Sequence, residues 1–185
     1  MILIVLIVFT GCGQNRITEK EEKKETVESE MNAEVKKTAQ TFRSVYMKEK
    51  SELNTLKVKR KIINCLEEKG YAAVDCDNQI DMVNREKVED FCKAAEKEEQ
   101  AAVDIVVVFD EGEIIQYHLE SMNGKINVRL CQVKWKDNSP QANYYDEYEA
   151  YEWKYTEKGY LFLEEYHPPG FDGAPGETGF RVQPL

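Results

Sequence analysis

Histidine is nearly missing from this chain: two in 185 residues, His118 and His167. That scarcity removes most nucleophilic and zinc-dependent chemistry, because a Ser-His-Asp or Cys-His machine needs an imidazole beside its nucleophile and a zinc protease needs two at helical spacing. Neither motif occurs. His118 alternates with Tyr117 and Leu119 on the polar side of a strand pattern, and His167 precedes two prolines at a loop entrance. Cysteine numbers only five, with no C-x-x-C pair, which argues against a zinc knuckle. Positive charge is also short. Lys and Arg total 25 against 35 Asp and Glu, a net charge of −10, so the chain lacks the basic footprint that phosphate backbones select, and nucleic acid is not an expected partner. No cofactor fingerprint and no internal repeat are visible.

What is present reads as helices followed by strands. Asn32 stands as a cap before Val35, Ala39, Phe42 and Tyr46, which share one face at helical period. A second register, Leu53, Leu56, Ile62, Ile63 and Leu66, stops at Gly70, and Asn84 is placed to cap a third helix through Val88, Phe91, Cys92 and Ala95. The character then changes. A-V-D-I-V-V-V-F (Ala102 to Phe109) is a β-branched run with little alternation, the mark of a strand covered on both faces and the expected centre of a sheet. Ile115, Tyr117 and Leu119 alternate up to Asn123-Gly124, a tight type I′ hairpin signal. Beyond it Ile126, Val128 and Leu130 keep one phase while Val133 and Trp135 keep the other, which predicts a bulge near Cys131 or Gln132. A loop over 137–143, a strand from Tyr145 to Thr156, a turn at Glu157-Lys158-Gly159 and a strand from Tyr160 to Tyr166 complete the pattern. The Pro- and Gly-rich stretch from His167 to Gly179 reads as irregular before a short last strand, Phe180 to Gln183.

Helices first and hairpin-linked strands after predict an α+β fold, N-terminal helices packed on an antiparallel β-meander of about four to five strands, with the far sheet face open to water. The organisation follows: residues 1–11 a signal peptide, 12–31 a charged tether, and 32–185 a single α+β domain. The tether, dense in Glu and Lys and almost free of apolar side chains, cannot bury enough surface to offset its ordering entropy, although the Glu/Lys spacing supports transient helix.

Three constellations carry possible chemistry. The aromatic-acidic run from Tyr144 to Tyr155 places Tyr145, Tyr148, Tyr151 and Trp153 as a ring-bearing face with carboxylates at its rim, suited to sugars or a cationic ligand. Asp75, Asp77, Gln79, Asp81 and Glu86 fall on the ligand positions of a calcium loop, but Ile80 replaces the glycine that the sharp turn needs; the competing reading is a loop whose polar side chains bond their own backbone. Lys57, Lys59, Arg60 and Lys61 form the one basic cluster, read as a solvated helix face.

The N-terminus resembles that of bacterial lipoprotein precursors. Ile2 to Phe9 is an apolar run too short to span a bilayer, and Phe9, Thr10, Gly11 and Cys12 occupy the small-residue box that ends in the lipidated cysteine; the residue three before the cysteine departs from the usual leucine, and no basic residue precedes the run. The resemblance implies acyl chains on Cys12, a mature chain on the outer face of a cell membrane, and four further cysteines, Cys65, Cys76, Cys92 and Cys131, able to pair in any of three connectivities or to stay buried thiols. A second resemblance, carried by G-Y-A-A-V-D-C-D-N-Q-I-D-M-V-N (Gly70 to Asn84), Y-T-E-K-G-Y-L (Tyr155 to Leu161) and the terminal R-V-Q-P-L, is to the N-terminal half of an uncharacterised family of Gram-positive lipoproteins. It implies a longer parent protein and supplies no catalytic residues. Together these readings point to a membrane-anchored extracytoplasmic domain that binds a neutral, cationic or carbohydrate ligand or a protein partner, with a cell-envelope hydrolase as the alternative.

Overall fold

The computed structural model describes residues 14–165 and 181–184. Its first helix, α1, runs over Gln14–Thr41, well upstream of Asn32. The Glu/Lys-rich stretch has good helix propensity and a sequence spacing of Glu and Lys that favours helix, and it extends a helix whose later turns are anchored by Met31, Val35 and Ala39. Asn32 therefore lies within the helix, where its Oδ1 accepts from the Cys131 thiol at 3.1 Å. After Phe42 the chain resumes as α2, Arg43–Lys48. α3, Leu56–Glu68, starts on Thr55, whose side chain accepts from Val58 N–H, and ends as expected at Gly70, whose φ of +83° lets its N–H reach the Glu67 carbonyl while Tyr71 N–H reaches that of Leu66. α4, Arg85–Glu96, forms where predicted, but Asn84 does not cap it. Asn84 is itself left-handed, and its amide donates to the Tyr71 and Glu67 carbonyls, tying α4 back to the end of α3.

One sheet has the order β1-β2-β3-β4-β5: β1 Ala72–Asp75, β2 Ala101–Val108, β3 Ile114–Met122, β4 Lys125–Lys136 and β5 Ser139–Glu149. The meander from β2 to β5 is antiparallel, but β1 pairs parallel to β2 and α4 makes the crossover, so the sheet is mixed and β3, not β2, is central. β1 escaped the sequence reading because four residues buried on both faces show no period. A second sheet, β6 (Glu152–Tyr155), β7 (Leu161–Glu165) and β8 (Arg181–Pro184), is antiparallel. The expected strand from Tyr145 to Thr156 thus divides at Ala150-Tyr151 between two sheets. The expected loop at 137–143 shrinks to Asp137-Asn138, both at positive φ, in a two-residue turn that pairs Lys136 with Ser139. Asn123-Gly124 makes the predicted hairpin, again with both φ positive.

Each face of the large sheet carries a covering layer, where the sequence led one to expect a face left to water. α1, α2 and α3 cover one face, where Phe42, Ile62, Ile63, Val106, Ile114 and Val133 share a core. α4 and the small sheet cover the other, where Phe91, Ile105, Leu119, Val128, Leu161 and Leu163 pack. This three-layer arrangement explains the run from Ala102 to Phe109. It also explains the two phases of β4: Ile126, Val128 and Leu130 point into one core, Cys131 and Val133 into the other, with the strand's own alternation intact. The register shift does fall at Gln132/Val133, and the extra residue is Asn143 on β5.

Candidate functional site

The four aromatic residues singled out in the sequence do not share a groove. Tyr145, opposite Cys131, packs on the α1 side of the sheet, whereas Tyr148, opposite Val128, packs on the α4 side. Tyr145 donates to the Glu147 carboxylate at 3.1 Å, and burial pushes its phenol pKa up to about 12. Trp153 is half-buried against the α4-side core, while Tyr151, at the crossing between the two sheets, is exposed.

The acidic loop is committed to its own fold. Asp75 is buried, and its carboxylate accepts from the backbone N–H groups of Asp77, Gln79 and Ile80 at 3.2, 3.2 and 2.6 Å, an Asx-type turn that consumes the oxygens a cation would want. Asp77 turns to Lys59, and Asp81 and Glu86 join no cluster; among the described residues no group of three His, Cys, Asp or Glu side chains is placed to hold a metal. Lys59 stands in the basic row that the sequence reads as a solvated helix face. It is instead 3 % exposed, with its ammonium 2.8 Å from Asp110, 3.1 Å from Asp77 and 3.7 Å from the Cys76 sulfur. Burial disfavours its charge, but the hydrogen bonds to Asp110 and Asp77 outweigh that, and its pKa stands well above the ordinary lysine value. Lys61 pairs with Glu49 at 2.5 Å, which leaves Lys57 and Arg60 as the exposed remainder.

All four described cysteines are free thiols. Cys92 and Cys131 lie in cores on opposite faces of the sheet, so they cannot bridge, and burial raises their pKa values to about 12 and about 11. His118 directs Nδ1 to Asp104 at 2.8 Å and Nε2 to Glu120 at 3.4 Å, with Arg129 on the far side of Glu120 at 2.9 Å. The Asp104 hydrogen bond raises its pKa against the opposing effects of burial and Arg129. With both ring nitrogens facing carboxylates, neither is left for a nucleophile. Cys12 and His167 lie outside the described residues.

The arrangement with binding character arises elsewhere. Tyr46 from α2 and Trp135 from β4 stack at 4.0 Å between centroids and 11° between planes, and Phe42 meets Trp135 edge-on at 5.9 Å. Trp135 is fixed by its indole N–H donating to the Gly112 carbonyl at 2.9 Å. Gly112 has φ +73°, and a Cβ there would meet the Tyr46 ring at 3.0 Å, so the turn needs glycine on both counts. Its neighbour Glu111 is left-handed without being glycine and is held by its N–H to Asn54 Oδ1 at 2.9 Å. A cavity of about 320 Å³ opens here between the 50–55 loop, the 110–113 turn and the ring pair, with Glu52, Glu111 and Glu113 on its walls. Lys50 places its ammonium 5.7 Å from the Tyr46 centroid and bonds Asn138 Oδ1 at 2.8 Å. Burial, then the nearby Glu111 charge, raises the Tyr46 phenol pKa. The site lies outside the carboxyl end of β2, the strand of the parallel pair, where open α/β sheets place ligands. Sequence reading missed it because Tyr46 scores only as a helix-face residue and Trp135 only as a strand residue; nothing local links them.

Fold and site together define an α+β domain with an aromatic-walled, acid-rimmed pocket. The chain belongs to a family of unknown function, DUF6070, whose model matches residues 24–185. No curated protein and no solved structure matches it.

Proposed function

We propose that this protein is a binding module, held at the outer face of a cell membrane by lipid on Cys12, whose Tyr46–Trp135 pocket takes a cationic amine. The observation that carries the ligand class is the stacked ring pair set among three carboxylates, with the chain's own Lys50 ammonium already lying over one ring. Glu113 is partly neutralised by Lys134 at 3.3 Å, which leaves Glu52 and Glu111 to pair with an incoming cation. A ligand cation displaces Lys50 and exchanges one ammonium for another on the same face.

The test is tryptophan fluorescence titrated with choline and cadaverine, with N-acetylglucosamine as a neutral comparator, in a Trp153→Phe background that leaves Trp135 as the reporter. Saturable quenching by the amines, weakened roughly threefold to thirtyfold in Glu111→Gln and strengthened in Lys50→Met, is the expected result. Response to the sugar alone, or to no probe, refutes the ligand class. Mass spectrometry of the membrane fraction tests the anchor: an unmodified thiol at Cys12 with residues 1–11 retained refutes it.

A further inference from the structure

β1 is half the length of the strand it pairs with, and the mismatch leaves part of a sheet edge bare. Ala72–Asp75 cover Ile105–Val108 alone, so Ala101–Asp104 of β2 face no strand on that side among the described residues. Successive strand residues direct their N–H and C=O groups to opposite sides. Cys76 N–H donates to the Val108 carbonyl at 2.9 Å, and this fixes the parity: Val108, Val106, Asp104 and Ala102 turn toward β1. Ala101, of the other parity, sends its N–H the opposite way, to Ser121 Oγ at 3.0 Å. In a parallel ladder Ala72, opposite Ile105, bonds the Asp104 carbonyl and the Val106 N–H. The N–H and C=O of Ala102 and the N–H of Asp104 are left facing outward, and Ala102 is exposed.

A cavity of about 630 Å³ follows this edge. α4 contributes Phe91 on the side of Val103, α1 contributes Glu34 on the side of Asp104, and Lys69, Gly70 and Lys87 close the end where the chain enters β1. Lys87 is pinned there by a hydrogen bond to the Gly70 carbonyl. We propose that this groove binds the carboxy-terminal tail of a protein partner, added as a short strand in line with β1 and parallel to β2. The closed end carries the argument. A strand lying parallel to β2 runs toward Gly70 and has to stop there, which presents its α-carboxylate to the ammonium groups of Lys69 and Lys87. A strand of the opposite direction has to begin there and sets an α-ammonium against the same two cations. Alternate side chains of the tail meet Phe91 and Val103 on one face and Glu34 and Asp104 on the other, which selects an apolar residue alternating with a basic or hydroxyl-bearing one. This site is separate from the Tyr46 pocket, and either stands if the other fails.

The experiment is a positional-scanning library of pentapeptides with free carboxylates and its carboxamide twin, read by fluorescence anisotropy on the full chain and followed by amide chemical-shift mapping. The free acids bind with an apolar/basic alternation, the carboxamides bind about tenfold to a hundredfold more weakly, and the Lys69→Met/Lys87→Met variant, its fold checked by circular dichroism, loses that difference. The Ala102 and Asp104 amides shift and gain exchange protection. Equal binding of acid and amide, shifts centred away from Ala102 and Asp104, or no binding by any member overturns the proposal.

Discussion

Lys59 offers the sharpest test of the energetics, because the burial of the ion triad is lopsided. The ammonium's side chain is 4 % exposed, whereas those of Asp77 and Asp110 are 54 % and 62 % exposed. Removing the cation returns two carboxylates to water that already reaches them; removing the carboxylates strands a cation that water does not reach. Lys59→Met, which keeps most of the stem volume, is expected to change stability by no more than about 1 kcal/mol, whereas Asp77→Ala/Asp110→Ala is expected to cost about 3–5 kcal/mol. At roughly 2–4 °C per kcal/mol for a domain of this size, the double variant melts about 6–20 °C lower.

The pH dependence follows from the same geometry. The folded pKa of Lys59 is raised above its ordinary value of 10.5, so the stability it contributes is fully present below pH 10.5 and is lost as pH rises through the folded pKa. In the double variant the unpaired, desolvated ammonium has a lowered folded pKa, so that protein gains stability as pH rises and the two unfolding curves converge in strong alkali. Urea unfolding at pH 7 and at stepped alkaline pH, with the m-value held as a check, reads both effects. If Lys59→Met proves as damaging as the loss of both aspartates, or if the double variant's deficit is independent of pH, the reasoning is refuted.

Other outcomes follow from the same structure. Phe42 is fully buried and supports Trp135, so Phe42→Ala is expected to cost about 3–5 kcal/mol in urea unfolding and to red-shift the tryptophan emission. Native-state alkylation at pH 8 is expected to leave Cys92 and Cys131 unmodified, with pKa values raised to about 12 and about 11, and the intact mass under non-reducing conditions is expected to show no disulfide among the four described thiols. The folded pKa of His118 is raised above 6.5, so its contribution to stability is present below that pH and is lost as pH rises through the folded value; Asp104→Asn is expected to lower the imidazole pKa in an NMR titration and to flatten the stability profile in that window.

Period and punctuation in the sequence located α3, α4, the central hairpin and the class of the fold, because those signals are local: an apolar face ending in Gly70, an Asn-Gly turn, a β-branched run. Local sequence is silent where a long-range partner decides the structure. Four residues buried on both sides carry no period, so β1 was invisible, and with it the βαβ unit that makes the sheet mixed. The same blindness reversed Lys59. In a row of basic residues it reads as solvated, and only the approach of Asp77 and Asp110, from the ends of β1 and β2, makes burial of its charge tolerable. The phase change in β4 was the most instructive signal. It is a true feature of the sequence, but its cause is two covering layers that end at different points along one strand, not a bulge within that strand. The same long-range logic brings Tyr46 and Trp135 together 89 positions apart. Their pocket depends on where the second helix crosses the end of β4, and no window of local sequence encodes that crossing. A family alignment would reveal it as covariation between α2 and β4, and substitution of Gly112 by alanine would reveal it as a joint loss of stability and of the stacked pair.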